Sequence, residues 1–410
     1  MKHYIWVLIA LLPGLTAYSP AHAQSKAQTL QQMQVDVVYL SSDLLAGRET
    51  GTEGEAMAAQ YIASRFEALG LSPKGTDGWY QAFDFTFSTN PHAKPEDGED
   101  RTGKNVLGFI DHGAEHTIVI GGHYDHLGMG HFGSREVHTR AIHNGADDNA
   151  SGIAVMLDLA ARLSGPEYTH NNYLFIAFSG EELGLYGSKY FVSHPTVELA
   201  KINYMLNFDM VGRLNDAKAL AVNAAGTSPI WKKTFEKIET EIEINTHDSG
   251  IGPSDHTSFY LKDLPVLHFF SGQHDDYHKP ADDSELVNYE GMYEISDLVQ
   301  QLIALLDNQG KVAFSKTKDQ TQTRTSFKVT LGIMPDYVST GEGMRIDAVL
   351  DERPAAKAGL EDGDIVIKMG DLPIGGMEDY MKALGAFEKG QTITVVVKRG
   401  KKKISKKVTF

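Results

Sequence analysis

The chain has 410 residues, enough for two domains, with 41% hydrophobic residues and a formal net charge of −16 at pH 7. That negative balance speaks against a nucleic-acid-binding or phosphate-binding role. There is no cysteine, so the fold has no disulfide, and any metal site must use imidazole and carboxylate ligands.

Residues 1–23 have the form of a secretory signal peptide. Lys2 is basic, Ile5 to Leu12 are apolar, and Ala21-His22-Ala23 is a small-x-small site with cleavage expected after Ala23. The expectation is an exported protein, periplasmic or extracellular. The apolar run is short for a bilayer span, and no other stretch is long and apolar enough to be transmembrane. With no cysteine after the signal, lipid attachment there is excluded.

Residues 24–35 are polar and read as a loose start. "GTEGEAMAAQYIASRFEALGL" (51–71) has helical spacing through Met57, Tyr61, Phe66 and Leu69, and Gly70 can end it. A polar loop (90–103) follows. Short apolar runs then alternate with helical patterns. The predicted strands are 117–122, 173–178, 202–208 and 264–270; the predicted helices are 150–165, 228–241 with Ser228 as N-cap and Pro229 first, and 291–308. Strands alternating with helices imply an α/β fold with a mostly parallel mixed sheet flanked by helices. "KTKDQTQTRTS" (316–326) is polar and aperiodic, so the domain reading is 24–310, a linker at 311–326, and a small β-rich unit at 327–410. Residues 398–410 carry seven Lys or Arg, read as the solvated face of a final strand.

Metal-capable residues follow the strands repeatedly. "IVIGG" runs into His123 and Asp125, "LFIAFSG" into Glu181 and Glu182, "YMLNF" into Asp209, and "VLHFFSGQHDDY" into His278; "GADDNASG", with Asp147 and Asp148, precedes a helix. In open α/β sheets ligands bind beyond the C-terminal strand ends. Two imidazoles with several carboxylates suit zinc, and also cobalt or manganese. Five candidates exceed what one catalytic zinc needs, which points to two ions sharing a carboxylate.

In order, "GGHYDHLG", "GADDNASG", "SGEELGLYGS", "NFDMVG" and "YHKPADD" resemble the dizinc aminopeptidase family M28, and "DLLAGRETGTEGE" is similar to that family's N-terminal stretch. The resemblance covers about residues 35–308. It implies a peptidase hydrolysing N-terminal residues from peptides, with two Zn2+ per chain. By motif, His123 and Asp209 would bind one zinc, Glu182 and His278 the other, and Asp148 would bridge them. Glu181 would be the general base toward a metal-bridged hydroxide, and Asp125 would accept the second ring N–H of His123. The family also implies a cis peptide after Asp148. Asp147 has no assignment. His126, His131, His138 and His143 match no site spacing and read as loop residues. Ser254, Asp255 and His256 of "PSDHTSFY" fit either a residue group near the substrate pocket or a capped helix start. A Ser-His-Asp hydrolase fails on context: "GxSxG" is absent, and neither "FSGEE" nor "PSDH" supplies a nucleophile elbow.

"LGIM" (331–334), "PAAKAGL" and "DGD" within 344–374, and "TITVVVKRG" (392–400) resemble a bacterial PDZ domain. That implies a loop of Leu331, Gly332 and Ile333 that receives the C-terminal carboxylate of a peptide, opposite a helix with Tyr380, Met381 and Leu384. "MGD" stands where that family more usually has an Asn-Gly turn. Two other readings use the same scaffold. A zinc carboxypeptidase or deacylase of family M20 has a similar order of ligands, but Asp209 and His278 stand too close in sequence for its inserted lid; a glutaminyl cyclase-like enzyme is the other. A reading of another class is a PDZ-mediated peptide-binding protein with an inactive hydrolase half. Residues 71–117 leave no room for an inserted protease-associated domain.

Overall fold

The structure is a computed structural model that describes residues 25–87, 98–136, 140–317, 329–335, 343–349 and 353–410. The signal-peptide reading, His138 and the 318–326 part of the linker lie outside the described residues.

The described residues open with helix α1 (Lys26–Leu40), where the sequence suggested a loose start. Ser25 caps it and Gln28 returns a hydrogen bond to Ser25, a capping box. Met33, Val37 and Leu40 repeat at helical spacing and are buried, so packing of this stripe makes a helix of a mostly polar segment. Helix α2 (Glu53–Ala68) is capped by Thr52, and Gly70 follows it at φ 78°.

Nine strands build one sheet among the described residues. They are β1 (Ser72–Pro73), β2 (Tyr80–Phe87), β3 (Glu99–Ile110), β4 (Thr117–His123), β5 (Asn172–Phe178), β6 (Ile202–Phe208), β7 (Ala219–Asn223), β8 (Glu243–Thr246) and β9 (Val266–Phe270). The order is β1-β3-β5-β4-β6-β9-β7-β8, with β2 paired on β3. The centre, β5-β4-β6-β9, is parallel, whereas β3 on β5 and β7 on β9 are antiparallel. The central strands are buried along their whole length, as expected where helices cover both faces. On one face Ile118, Ile120, Phe175 and Leu206 pack under α1, α2, α3 (Gly152–Leu163) and α7 (Tyr289–Leu306). On the other, Val119, Leu174, Ile176 and Met205 meet α4 (Tyr186–Ser193) and α6 (His256–Tyr260). The helix expected over 228–241 is only α5 (Ile230–Phe235), with Pro229 as its N-cap residue.

Chain direction around β4 and β6 creates the crevice. From β4 the chain proceeds to β5 on one side, while from β6 it proceeds toward β9 on the other. Loops leaving the C-terminal ends of these neighbouring strands therefore diverge, which is the condition for a binding site in a parallel sheet. His123 is the last residue of β4, and Asp209 directly follows β6.

The second unit is an antiparallel sheet built on its own core. Its elements are β10 (Ile333–Pro335), β11 (Met344–Val349), α8 (Pro354–Ala358), β12 (Ile365–Met369), β13 (Leu372–Pro373), α9 (Met377–Gly385), β14 (Thr392–Arg399) and β15 (Lys402–Thr409). Strand order is β10-β11-β12-β14-β15, with β13 on β12. Leu331, Val366, Val395 and Val397 are among its buried side chains. The basic stretch forms the end of β14 and most of β15, whose lysines are largely exposed.

Candidate metal centre

Five loops deliver the acids and imidazoles. Gly122 lets β4 lie close to β6: a Cβ there would stand 2.5 Å from the Phe208 carbonyl oxygen. His123 follows and is buried. Gly145, at φ 57°, opens the wide turn Ala146–Ser151, and the Asp148–Asn149 peptide bond within it is cis, as expected from the motif. Asn149 Nδ2 donates to the Phe208 carbonyl, and the Met210 amide donates to Asn149 Oδ1, so this turn is tied to the end of β6. His278 adopts φ 56°, a left-handed backbone that a non-glycine residue takes only under constraint. Its Nδ1–H donates to the Gly133 carbonyl at 2.9 Å, which leaves Nε2 facing the cleft.

The distances sort the residues into two groups around Asp148. His123 Nε2 lies 3.3 Å from Asp148 Oδ1 and 3.3 Å from Asp209 Oδ1. His278 Nε2 lies 3.1 Å from Asp148 Oδ2 and 3.3 Å from Glu182 Oε2. Zinc–ligand bonds of about 2.0–2.1 Å in a tetrahedron put neighbouring ligand atoms about 3.3 Å apart. Both groups have that spacing, and each uses a different oxygen of Asp148. The donor set, all imidazole and carboxylate, fits divalent metal ions of the zinc type.

Electrostatics agree. Burial alone would push His123 and His278 down, but Asp209 beside the first and Glu182 beside the second hold both well above the usual imidazole value. Burial would likewise raise Glu182, yet His278 and the hydrogen bonds from His126 and His278 bring it to about 2. Asp148, buried between the rings of His123 and His278, is held well below the usual carboxylate range. The cleft attracts positive charge. Glu181 stands apart: burial, with Asp209, Asp255 and Glu182 nearby, raises its carboxyl well above the usual range. An acid of that kind suits proton transfer.

Asp125 is placed differently from the expectation. Its carboxylate is 3.8 Å from His123 Nδ1, which instead faces the Asp125 backbone carbonyl at 3.2 Å. The carboxylate accepts the amide N–H groups of Glu181 (3.1 Å) and Glu182 (3.4 Å) and the Thr50 hydroxyl (3.0 Å). Asp125 therefore fixes the Glu181–Glu182 turn. The reason is geometric: a strand end aims its neighbour's carboxylate across the crevice, toward amides that need acceptors.

Other residues lie at or around the site, most of them without a role read from the sequence. His126 is buried, with Nδ1 2.8 Å from Glu182 Oε1; with Asp148 and Glu182 it forms a cluster of metal-capable atoms beside that of His123, Asp148 and Asp209. His143 bonds Ala141 O and Ser134 Oγ and belongs to the loop beneath, and His131 is exposed. Asp147 Oδ1 accepts the Gly212 amide at 2.6 Å, linking the turn to the segment after β6. Asp282 accepts the amides of Asp147 and Asp148, both at 3.0 Å. Arg48, fully buried, donates to the carbonyls of Leu40, Tyr124, Asn144 and Gly145. Ser254, Asp255 and His256 are all buried at the start of α6; Ser254 Oγ accepts from Asn207 rather than capping the helix, and burial raises Asp255 to about 6. The cleft beyond Glu181 and His278 is walled by Met210, Asn223, Pro253, His268, Phe270 and Gln273.

In the β-rich unit, Leu331 is buried, Gly332 takes φ 69°, and Ile333 opens β10. Tyr380 and Leu384 of α9 face the core, and only Met381 of the expected groove wall is exposed.

Comparison with known proteins places these observations. Residues 105–303 match the model of peptidase family M28, and residues 312–409 that of the PDZ domain. Aminopeptidase YwaD of Bacillus subtilis is 33% identical over 168 residues, which is 38% of this chain and 36% of that protein, so the match spans about a third of the relative's own length. The solved structure of BSAP, a zinc aminopeptidase from Bacillus subtilis, is similar with a TM-score of 0.53 and 21% identity, over 71% of this chain and 96% of that one. A glutaminyl cyclase of Bacteroides thetaiotaomicron is similar with a TM-score of 0.52 and 15% identity, over 67% and 97%. At such identities the likeness to these structures is one of fold. The chain thus carries a peptidase domain of family M28 at residues 105–303 and a PDZ domain at residues 312–409.

Proposed function

We propose that this protein is an exported dizinc aminopeptidase that removes N-terminal residues from peptides. The observation that carries the reading is the pair of ligand-spaced groups sharing Asp148, at 3.1–3.3 Å. His123 and Asp209 would hold one ion, Glu182 and His278 the other, and Asp148 both. Bound there, two zinc ions (or cobalt or manganese) would acidify water and polarise the scissile carbonyl.

The chain's own groups then have separable tasks. Glu181 takes a proton from the attacking water and delivers it to the leaving amine. Asp125 holds Glu181 and Glu182 in place through their amides. Gly133 sets the ring of His278. The apolar wall of Met210 and Phe270 beside Asn223 and Gln273 suits a substrate side chain and its backbone amide. In the PDZ domain, Leu331, Gly332 and Ile333 would receive a peptide C-terminus, which adds as a strand. Export rests on the signal pattern of residues 1–23; among the described residues no helix is long and apolar enough to cross a membrane.

The test is metal content and hydrolysis of an N-terminal amino-acid amide panel, beside Glu181→Gln. Two ions per chain, with activity lost and metal kept in the variant, is the expected result. Two ions with cleavage of N-acylated substrates only, or cyclisation of N-terminal glutamine, would overturn the aminopeptidase reading in favour of a deacylase or a cyclase.

A further inference from the structure

We infer that His126 is a positioning residue that makes Glu182 a one-oxygen ligand of the second ion; the inference rests on the two-metal reading above. His126 lies three residues after His123, on the loop leaving β4, with no exposed surface. Its Nδ1 is 2.8 Å from Glu182 Oε1 and 4.0 Å from Asp148 Oδ2. The other oxygen of Glu182, Oε2, faces His278 Nε2 at 3.3 Å.

These distances separate a hydrogen bond from shared ligation. Atoms bound to one tetrahedral zinc stand about 3.3 Å apart, and every contact among His123, Asp148, Asp209, Glu182 and His278 quoted above is 3.1–3.3 Å. The His126–Glu182 contact is shorter and matches a charge-assisted N–H···O bond, normally about 2.7–2.9 Å. Nitrogen facing a carboxylate at that distance carries the proton. On the opposite side of the ring, Nε2 is buried and has no partner among the described residues. The donor toward Glu182 is therefore Nδ1–H.

Steric closure supports a fixed role. A Cβ on Gly145 would stand 2.5 Å from the ring Cδ2 of His126, so this glycine leaves just enough room for the imidazole beside the turn that carries Asp148. The ring also meets His278 edge-on, with centroids 5.7 Å apart. One imidazole thus contacts both the residue that supplies the second ion's acid and the ring that supplies its nitrogen. With Oε1 occupied by His126, Glu182 offers the ion Oε2 alone. A carboxylate free to bind through both oxygens would take up an additional coordination position.

The test compares the parent chain, His126→Gln, which keeps a side-chain donor, and His126→Leu, which does not. Each is stripped with a chelator and titrated with Zn2+. His126→Leu should bind the first ion as the parent does and the second about 10- to 100-fold more weakly, the usual loss for a second partner of a metal ligand, while His126→Gln should recover most of that loss. Equal second-ion affinity in parent and His126→Leu would overturn the inference. Nitrogen-detected NMR of the zinc-loaded parent needs no variant to fold: Nδ1 of His126 should carry a proton. A bare Nδ1 would mean that His126 is itself a ligand and would overturn the positioning role. A parent chain that binds fewer than two ions would sink the two-metal reading itself, and this inference with it.

Discussion

The carboxylate of Asp282 accepts the backbone N–H of Asp148 at 3.0 Å. It takes the Asp147 amide as well, and Arg213 Nη2 lies 3.5 Å from its other oxygen. Asp282 therefore holds the turn that presents Asp148, four residues after His278 in sequence, without itself facing the cleft. Asp282→Ala should keep the fold and weaken zinc binding by about 10- to 100-fold. Competition with a chromophoric chelator measures this; unchanged affinity would show that the turn holds its shape unaided.

Four carboxylates, those of Asp148, Glu181, Glu182 and Asp209, converge on one cleft. Cations that bind the folded chain and not the unfolded one stabilise it by about 2.7 kcal/mol at a concentration 100 times the dissociation constant. Chelation should lower the melting temperature of the peptidase domain by several degrees, and added Zn2+ should restore it. A melting curve indifferent to both would count against a metal centre.

Arg48 is buried with its guanidinium on four carbonyls and faces no carboxylate directly. Burial lowers its pKa to about 10, opposed by Asp148, Asp125 and Asp282, so the group stays charged at neutral pH. Replacing it by Leu leaves buried acceptors unpaired at about 1–3 kcal/mol each. Arg48→Leu should cost about 3 kcal/mol or more in denaturant unfolding, with loss of metal binding. A variant of parental stability would mean that water replaces the guanidinium.

In the PDZ domain, Asp364 is buried and receives Arg399 through Nε at 2.7 Å and Nη2 at 2.9 Å. Burial raises its pKa, but the Arg399 hydrogen bonds outweigh this and hold it below the usual carboxylate value. A carboxyl depressed on folding stabilises the fold above its unfolded pKa of about 3.9 and gives that stability up as pH falls through the folded value. Amide exchange in β14 should quicken as pH drops below about 4, beyond the intrinsic effect of pH. Asp364→Asn should be less protected at neutral pH and should lack this acid-dependent step.

The acids and imidazoles that the structure brings together were legible before any fold was known, because candidate metal-binding residues at strand ends sit in short, ordered motifs. His123, Asp148, Glu182, Asp209 and His278 are each marked by an apolar run that becomes a buried strand, or by a glycine-flanked acid pair. The same alternation of runs foretold the parallel centre of the sheet. Helix α1 was missed because its polar surface dilutes the Met33, Val37, Leu40 stripe. Helix α5 was drawn too long because helical spacing continues past the point where Ile238 and Ile242 turn into the core.

Which side chain touches which is another matter. His126 had the same local signature as a loop histidine, since "HYDH" says nothing of a glutamate 56 positions away. Asp125 was expected on the ring of His123 and lies instead on the amides of Glu181 and Glu182. Asp282 and Arg48 act through backbone groups, which carry no residue identity for a motif to record. The sequence by itself determined the chemistry available, the strand ends that present it and the order of two domains. Only the tertiary structure decided which oxygen of Asp148 meets which imidazole and which acids hold the frame, because hydrogen-bond partners are chosen by distance and direction across strands that are remote along the chain.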